Sequence, residues 1–537
     1  MPPKNIERIF VSLFFIIFLL VGFLTYRDYG VSTDEMSLYR VSKIDYLRLR
    51  GALSETDFMY ECKNNTSICT YPPLFEMVLY RLAPIGSSQS IFFTRHLATF
   101  LYFALGVFFF YLLGKEVFHD WRMGLIAALF LVISPRIFAN AFYNSKDIPF
   151  LSAYIIAMYT MLRFLGRKNI FWAGMHGMAT GIAASIRTPG IILATITFMA
   201  FLLEAIFSKT TWKQYLQKLI PFFVFISVAL LIMYISFPYL YNDPIHRFIE
   251  VFNIMKQYPW NGYELYMGQN IGNHTPWHFT FVWFAISTPF IYLLFFTLGI
   301  FAMFRDFLKS VLSRNLTSFV NNSKLYLIAL CGVLPILVTI AMKSVLYDGS
   351  RQMFFCYPSL LMVSLYGLAF LYNQISLKHH HKQILLALVM IIGLAQPIFF
   401  LVKYHPYGGV YFNVLAGSKM SVIKERFSLD SWALASKEGL EYVVKTDPRQ
   451  EIKIAVRFYY ENTSDTQPIR LGANKYSHLI LPPADFERVT ITEYAPDYVF
   501  DTYRYYPTQT YQKPLQKYYS VQVGDTDILT VYRGIPQ

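Results

Sequence analysis

The chain has 537 residues, of which 55% are hydrophobic, 18% aromatic and only 15% charged, a composition far from that of soluble globular proteins. Its net charge of +14 (47 basic, 33 acidic residues) is scattered through short connectors between apolar runs and forms no single patch, so the expected partner is a lipid bilayer and not nucleic acid. Those runs are continuously apolar over helix-spanning lengths, which excludes both a transmembrane barrel and a soluble enzyme on one anchor.

The first run, 9–24, is preceded by Lys4 and Arg8 and has the charge and length of a signal sequence, but no small-residue cleavage site follows, so it reads as a retained first helix. Directly after it stands Asp28-Tyr-Gly-Val-Ser-Thr-Asp34-Glu35. Two adjacent carboxylates at a membrane exit have two readings: the centre of a lipid-facing active site, or the start of an interfacial helix, for which Ser32, Thr33 and Glu35 are suited. Within the long loop 25–95, the stretches 34–50 and 74–82 have mixed apolar and charged faces and are predicted to lie as helices in the interface plane. Cys62 and Cys69 bracket a polar segment and are expected to form a local disulfide if that loop is extracytoplasmic, whereas Cys331 and Cys356 fall in apolar runs as packing residues. Tyr71-Pro72-Pro73-Leu74 then makes a rigid turn.

Further spans are predicted at 96–114, 121–135, 148–165, 170–186, 189–207, 218–238, 277–303, 325–342, 353–373 and 383–403, eleven membrane helices with the first. A cytoplasmic N-terminus puts connectors 115–122, 163–168, 208–218, 305–324 and 374–382 inside, and each carries lysine or arginine, as the positive-inside rule requires. The loops 25–95, 135–147, 187–189, 239–276 and 343–352 then face the other side, together with everything from 404 onward. That tail is polar, with β-rich runs at 452–458, 478–481, 498–503 and 528–532 and one helix candidate at 429–445. The expected architecture is a polytopic α-helical membrane domain, 1–403, and a small extracytoplasmic α/β domain, 404–537, in a plasma (inner) membrane. The run Lys378-His-His-His-Lys382 reads as a solvated loop.

The unusual polar residues collect at helix ends on the extracytoplasmic side: Asp34 and Glu35, the loop 134–149 with Lys146 and Asp147, Arg187, and Tyr347-Asp348-Gly349-Ser350-Arg351-Gln352. Carboxylates and arginines at one membrane face suit a reaction between a phosphorylated lipid and a hydroxyl or amine. Asp34 is the candidate base, Asp147 is the second catalytic candidate, to position the acceptor or a cation, and Arg351 and Arg187, with Lys146 and Tyr347, are candidates to bind the departing phosphate. Asp147 and Glu35 are candidate ligands for a divalent metal ion with His96, His274 or His278, the competing reading being structural hydrogen-bonding groups and interfacial anchors.

The acidic pair after the first helix, Tyr71-Pro72-Pro73-Leu74 and the 136–149 stretch with Asp147 together resemble the GT-C glycosyltransferases, especially the protein O-mannosyltransferase and aminoarabinose transferase superfamily, over the order of elements in 9–403. The 347–352 loop and His405-Pro-Tyr-Gly-Gly-Val-Tyr-Phe-Asn413 look like signatures of one bacterial branch. The resemblance implies a GT-C fold, a polyprenyl-phosphate-linked sugar donor and reaction on the periplasmic or external side. Asp34 matches the catalytic aspartate, Glu35 its acidic neighbour and Asp147 the acidic residue of the second loop. In the aminoarabinose transferases a glutamate and a lysine precede the double proline; Thr70 and Tyr71 stand here, so that branch's metal and phosphate contacts are not carried over. The expected activity is inverting transfer of a hexosyl or pentosyl group to a glycan, lipid or protein acceptor. A transporter or lipid flippase is the alternative, requiring polar residues in mid-helix positions of several segments. A non-catalytic scaffold whose tail binds a partner is a third reading.

Overall fold

The computed structural model describes residues 4–64, 67–207, 212–260, 262–272, 274–313, 322–375, 380–457, 476–492, 495–503 and 515–534. Among them, eight helices are long and apolar enough to cross a membrane: Asn5–Thr25, Ser88–Phe118, Asp147–Arg167, Leu219–Ser236, Phe290–Leu312, Ser323–Ala341, Arg351–Gln374 and His381–Lys403. A bent pair, Trp121–Ile133 with Pro135–Tyr143, makes a ninth, and Ile170–Ile186 and Thr188–Glu204 are shorter apolar helices. Ten of the eleven predicted segments correspond to one of these helices or to the bent pair, but the predicted 277–303 segment is two helices, Phe279–Ser287 and Phe290–Leu312, parted at Thr288 and Pro289. The count of eleven full spans is corrected as well, because one segment is bent and two are too short. Residues 378 and 379 of the predicted histidine run lie outside the described residues, and the rest of the run begins the helix His380–Lys403.

The break has a local cause. Pro135 disfavours helical backbone at the residue before it, and Ser134 accordingly leaves the helix at φ −69°, ψ 106°. The chain then turns by 69° into Pro135–Tyr143, for which the proline is a pre-organised first residue. The Ser134 hydroxyl donates to the Phe130 carbonyl at 2.7 Å and lies 2.9 Å from the Tyr357 hydroxyl, so the bend leaves no stranded side chain. The consequence is a short buried helix that carries Arg136 and Asn140 and is closed by Asn144 at its C-cap.

Both predicted interfacial helices are present, as Glu35–Leu49 and Leu74–Leu82, with a third between them, Glu55–Asn64. Cys62 and Cys69 are disulfide-bonded, with a Cα separation of 5.5 Å. The predicted loop 239–276 holds a further helix, Pro244–Lys256, and a hairpin of β1 (Glu264–Tyr266) and β2 (Gln269–Ile271).

The tail forms a five-stranded mixed sheet of β3 (Ile452–Arg457), β4 (Val489–Ile491), β5 (Tyr498–Asp501), β6 (Leu515–Val523) and β7 (Thr526–Gly534), in the order β4-β3-β5-β7-β6. Strand β3 runs parallel to β4 and β5, whereas β7 is antiparallel to β5 and β6. Two expectations fail here. The 478–481 run is a 3₁₀ turn, Ser477–Ile480, and the helix expected from 429 begins only at Ser436. The apolar core runs without a break from membrane-helix residues such as Phe103 and Tyr154 to sheet residues such as Phe500 and Val531.

Candidate active site

The two neighbouring carboxylates separate at the start of helix Glu35–Leu49. Glu35 folds back: its Oε2 accepts the Ser32 N–H at 2.7 Å and its Oε1 lies 3.2 Å from His96 Nε2, with the side chain 1% exposed. This is capping chemistry, and it removes Glu35 from the site. Asp34 occupies the N-cap position, but its backbone is helical and its side chain caps nothing. Its carboxylate remains 43% exposed, with Oδ2 3.3 Å from Arg351 Nη2.

Asp147 opens the helix that follows the bent segment. Asn144 fixes it twice, accepting the Asp147 N–H at 2.8 Å and donating its own amide to Oδ2 at 3.1 Å. A carboxylate in the first turn also suits the helix dipole. Arg187, which caps the C-terminus of Ile170–Ile186, contacts Oδ1, and Arg351 Nη1 lies 3.2 Å from Oδ2. With both oxygens held by guanidinium groups and the side chain 1% exposed, Asp147 is not free to accept a proton. The catalytic role expected of it becomes a positioning role, as the anchor of two arginines.

Arg351 joins the pieces. Its Nη2 donates to Asp348 Oδ2 at 2.9 Å and reaches Asp34, and its guanidinium lies between the rings of Tyr347 (5.1 Å) and Trp432 (4.7 Å). The turn that presents it has Asp348 and Gly349 at φ +56° and +71°, a left-handed pair suited to glycine. Their N–H groups donate to Glu264 at 2.9 and 3.0 Å, so β1 holds the turn in place. Lys146 points its ammonium at the Tyr71 ring, 2.9 Å from the centroid. Burial, and next the neighbouring Arg187, push its pKa well below the ordinary lysine value, against the pull of Asp34. Burial also raises the hydroxyls of Tyr71 and Tyr347, the latter to about 12, so both remain O–H donors.

A cavity of about 460 Å³ opens beside this cluster. Its lining is mostly apolar, with Ile192, Met199, Phe252, Leu334, Val338 and Met353 in it, and its polar lining includes Tyr71, Arg187, Lys256, Tyr258, Tyr347 and Gln352. The structure thus brings together Asp34, Lys146, Asp147, Arg187, Tyr347 and Arg351 and leaves Glu35 outside.

The residues do not fit the divalent cation considered for Asp147 and Glu35. Asp147 is taken by two arginines and Glu35 by Ser32 and His96, while His278 pairs with the Tyr266 hydroxyl at 2.7 Å. Among the described residues no group of three His, Cys, Asp or Glu side chains is arranged to hold a metal ion.

Sequence reasoning missed four members of the site. Tyr71 was visible as part of the double-proline turn and Asp348 by its Asp-Gly turn signal. Glu264 and Trp432 have no local signal, because each reaches its partner across 84 positions.

Residues 72–238 match the family described as dolichyl-phosphate-mannose-protein mannosyltransferase. No curated protein matches. Among solved structures, ArnT from Cupriavidus metallidurans bound to undecaprenyl phosphate aligns over 97% of both chains at 13% identity with a TM-score of 0.45, and no residue is carried over from it. The matched stretch begins at the double proline and contains Lys146, Asp147 and Arg187, so the resemblance to GT-C membrane glycosyltransferases holds over the part of the chain that supplies half of the clustered side chains.

Proposed function

We propose that this chain moves a sugar from a polyprenyl-phosphate-linked donor to a hydroxyl or amine acceptor, with inversion, at the extracytoplasmic face of a plasma (inner) membrane. The observation that carries this reading is the largely apolar cavity lined in part by Tyr71, Arg187 and Tyr347, with Lys146 on the Tyr71 ring, Arg351 on the Tyr347 ring and one partly exposed carboxylate, Asp34, against Arg351. An isoprenoid chain suits such walls, and a phosphate suits such cations and hydroxyls.

In the proposed step the acceptor oxygen bonds to the anomeric carbon as the bond from that carbon to the donor phosphate breaks. The acceptor proton passes to Asp34, and the phosphate leaves with the electron pair. Arg187, Arg351 and Lys146 offset the charge that develops, and Tyr71 and Tyr347 donate hydrogen bonds. One displacement from the far side inverts the carbon. Asp147 holds two of the cations at fixed separation, which is catalysis by positioning. The orientation is supported by the basic connectors, since Arg163 and Lys324 meet Glu116 at the helix ends away from the site.

The test is release of polyprenyl phosphate by purified chain in liposomes offered hexose- and pentose-bearing donors. Asp34→Asn with full turnover would sink the assignment of the base. Turnover is expected to survive dialysis against a chelator, and a loss restored by magnesium would show that a cation enters where the donor set offers it no place.

A further inference from the structure

The C-terminal domain reaches the reacting centre through one turn, residues 430–437. Asp430 builds it: its carbonyl accepts the Ala433 N–H at 3.1 Å and its Oδ2 accepts the Ala435 N–H at 2.9 Å. Ala433 lies at φ +53°, a left-handed conformation that residues with a Cβ avoid. The turn points Trp432 inward, 6% exposed, with its indole N–H donating to Asp348 Oδ2 at 3.2 Å and its ring 4.7 Å from the Arg351 guanidinium. The same ring meets Tyr143 edge-on at 5.6 Å.

A few residues further on, the turn grips the segment that leads to Asp34. Lys437 Nζ donates to the carbonyls of Arg27 at 2.7 Å and Asp28 at 3.0 Å. Gly30 packs so closely on the tail that a Cβ there would lie 2.8 Å from the Leu434 carbonyl oxygen. One piece of the tail therefore holds both partners of the Asp34–Arg351 contact.

We infer that the 430–437 turn is a working part of the active site, in which Trp432 is a positioning residue that fixes Arg351 relative to Asp34. Arg351 faces three carboxylates, Asp34, Asp147 and Asp348, and could turn its Nη2 edge towards any of them. Trp432 and Tyr347 clamp the guanidinium plane, and the indole N–H holds the Asp348 oxygen that Arg351 also uses. This inference rests on the donor-phosphate reading of Arg351.

The experiment compares full-length chain with Trp432→Phe and Trp432→Ala in liposomes, reading kcat, the KM for a polyprenyl-phosphate sugar and the melting temperature. A misplaced guanidinium is expected to lower kcat by about 10²-fold in Trp432→Ala. Trp432→Phe keeps a ring over Arg351 and loses only the N–H, so it should melt with the unmodified chain and lose about tenfold in kcat, a partial rescue that a purely structural role would not give. Unmodified kcat per folded molecule in Trp432→Phe and in any folded Trp432→Ala would overturn the inference and leave the functional reading standing. No turnover of any polyprenyl-phosphate sugar by the unmodified chain would overturn both.

Discussion

Two clusters of charge stand at opposite ends of the membrane helices. At one, Glu116 takes Arg163 at 2.9 Å and Lys324 at 2.6 Å, fastening three helices together, and all three side chains are 20–35% exposed. At the other, Arg351 (8% exposed) and Asp147 (1%) lie deep in the protein, three cations gather, and an apolar cavity abuts them. The first cluster is a strap: two cations on one carboxylate, with nothing left over for a ligand. The second leaves Asp34 partly open, with Lys146 on a ring instead of in an ion pair. Charge at a helix end is therefore weak evidence for a site; a carboxylate left uncommitted beside cations and a cavity is much stronger.

The sharpest way to break this contrast is a matched pair of substitutions. Asp34→Asn should lower turnover by roughly 10² to 10⁴-fold with little change in melting temperature, since the group is exposed and makes one contact. Glu116→Gln should do the reverse, lowering the melting temperature at constant turnover per folded molecule. If the two variants exchanged these effects, the strap and the site would have been assigned to the wrong ends.

Arg351→Met leaves Asp348 without its cation and Asp147 with Arg187 alone, and is expected to cost about 3–5 kcal/mol, seen as loss of folded protein in detergent. Arg351→Lys restores the charge without the bidentate fork, so the folded amount should recover while affinity for polyprenyl phosphate stays about tenfold weaker. Glu35→Gln probes the neighbouring carboxylate: a loss of about 1–3 kcal/mol in stability with unchanged turnover per folded molecule is expected, because the Ser32 N–H loses a charged acceptor. A fall in turnover beyond the folded fraction would return Glu35 to the site. The smallest effect concerns Lys146. Because burial holds its pKa below the usual lysine value, affinity for polyprenyl phosphate should fall a few-fold as pH rises through that depressed pKa. Lys146→Arg should carry the affinity unchanged through the same range, and an identical pH profile in both would remove Lys146 from the phosphate end.

Much of this was legible in the chain because the membrane separates apolar from polar residues so strictly. Six side chains at predicted helix ends on one predicted face do converge, which is what a topology argument can deliver. It could not assign the two carboxylates of the Asp34–Glu35 pair, since capping and chemistry ask for the same residue types and only the backbone of Asp34 decides between them. Pro135 was read as the end of a span, although a proline opens a helix as readily as it closes one. In the tail, the helix expected from 429 failed where the Asp430 carboxylate captures the Ala435 N–H and turns the chain outward first.

The bend at Pro135 has one more consequence. Trp121–Ile133 has 13 residues and rises only about 20 Å, against roughly 30 Å of hydrocarbon in a typical bilayer. The helix that turns aside after it, carrying Arg136 and Asn140, thus begins about 10 Å short of the level that a full span would reach. For the transfer proposed above, bilayer thickness then becomes a variable: a thin membrane would bring water and acceptor closer to Asp34, and a thick one would set that carboxylate deeper beneath the lipid headgroups.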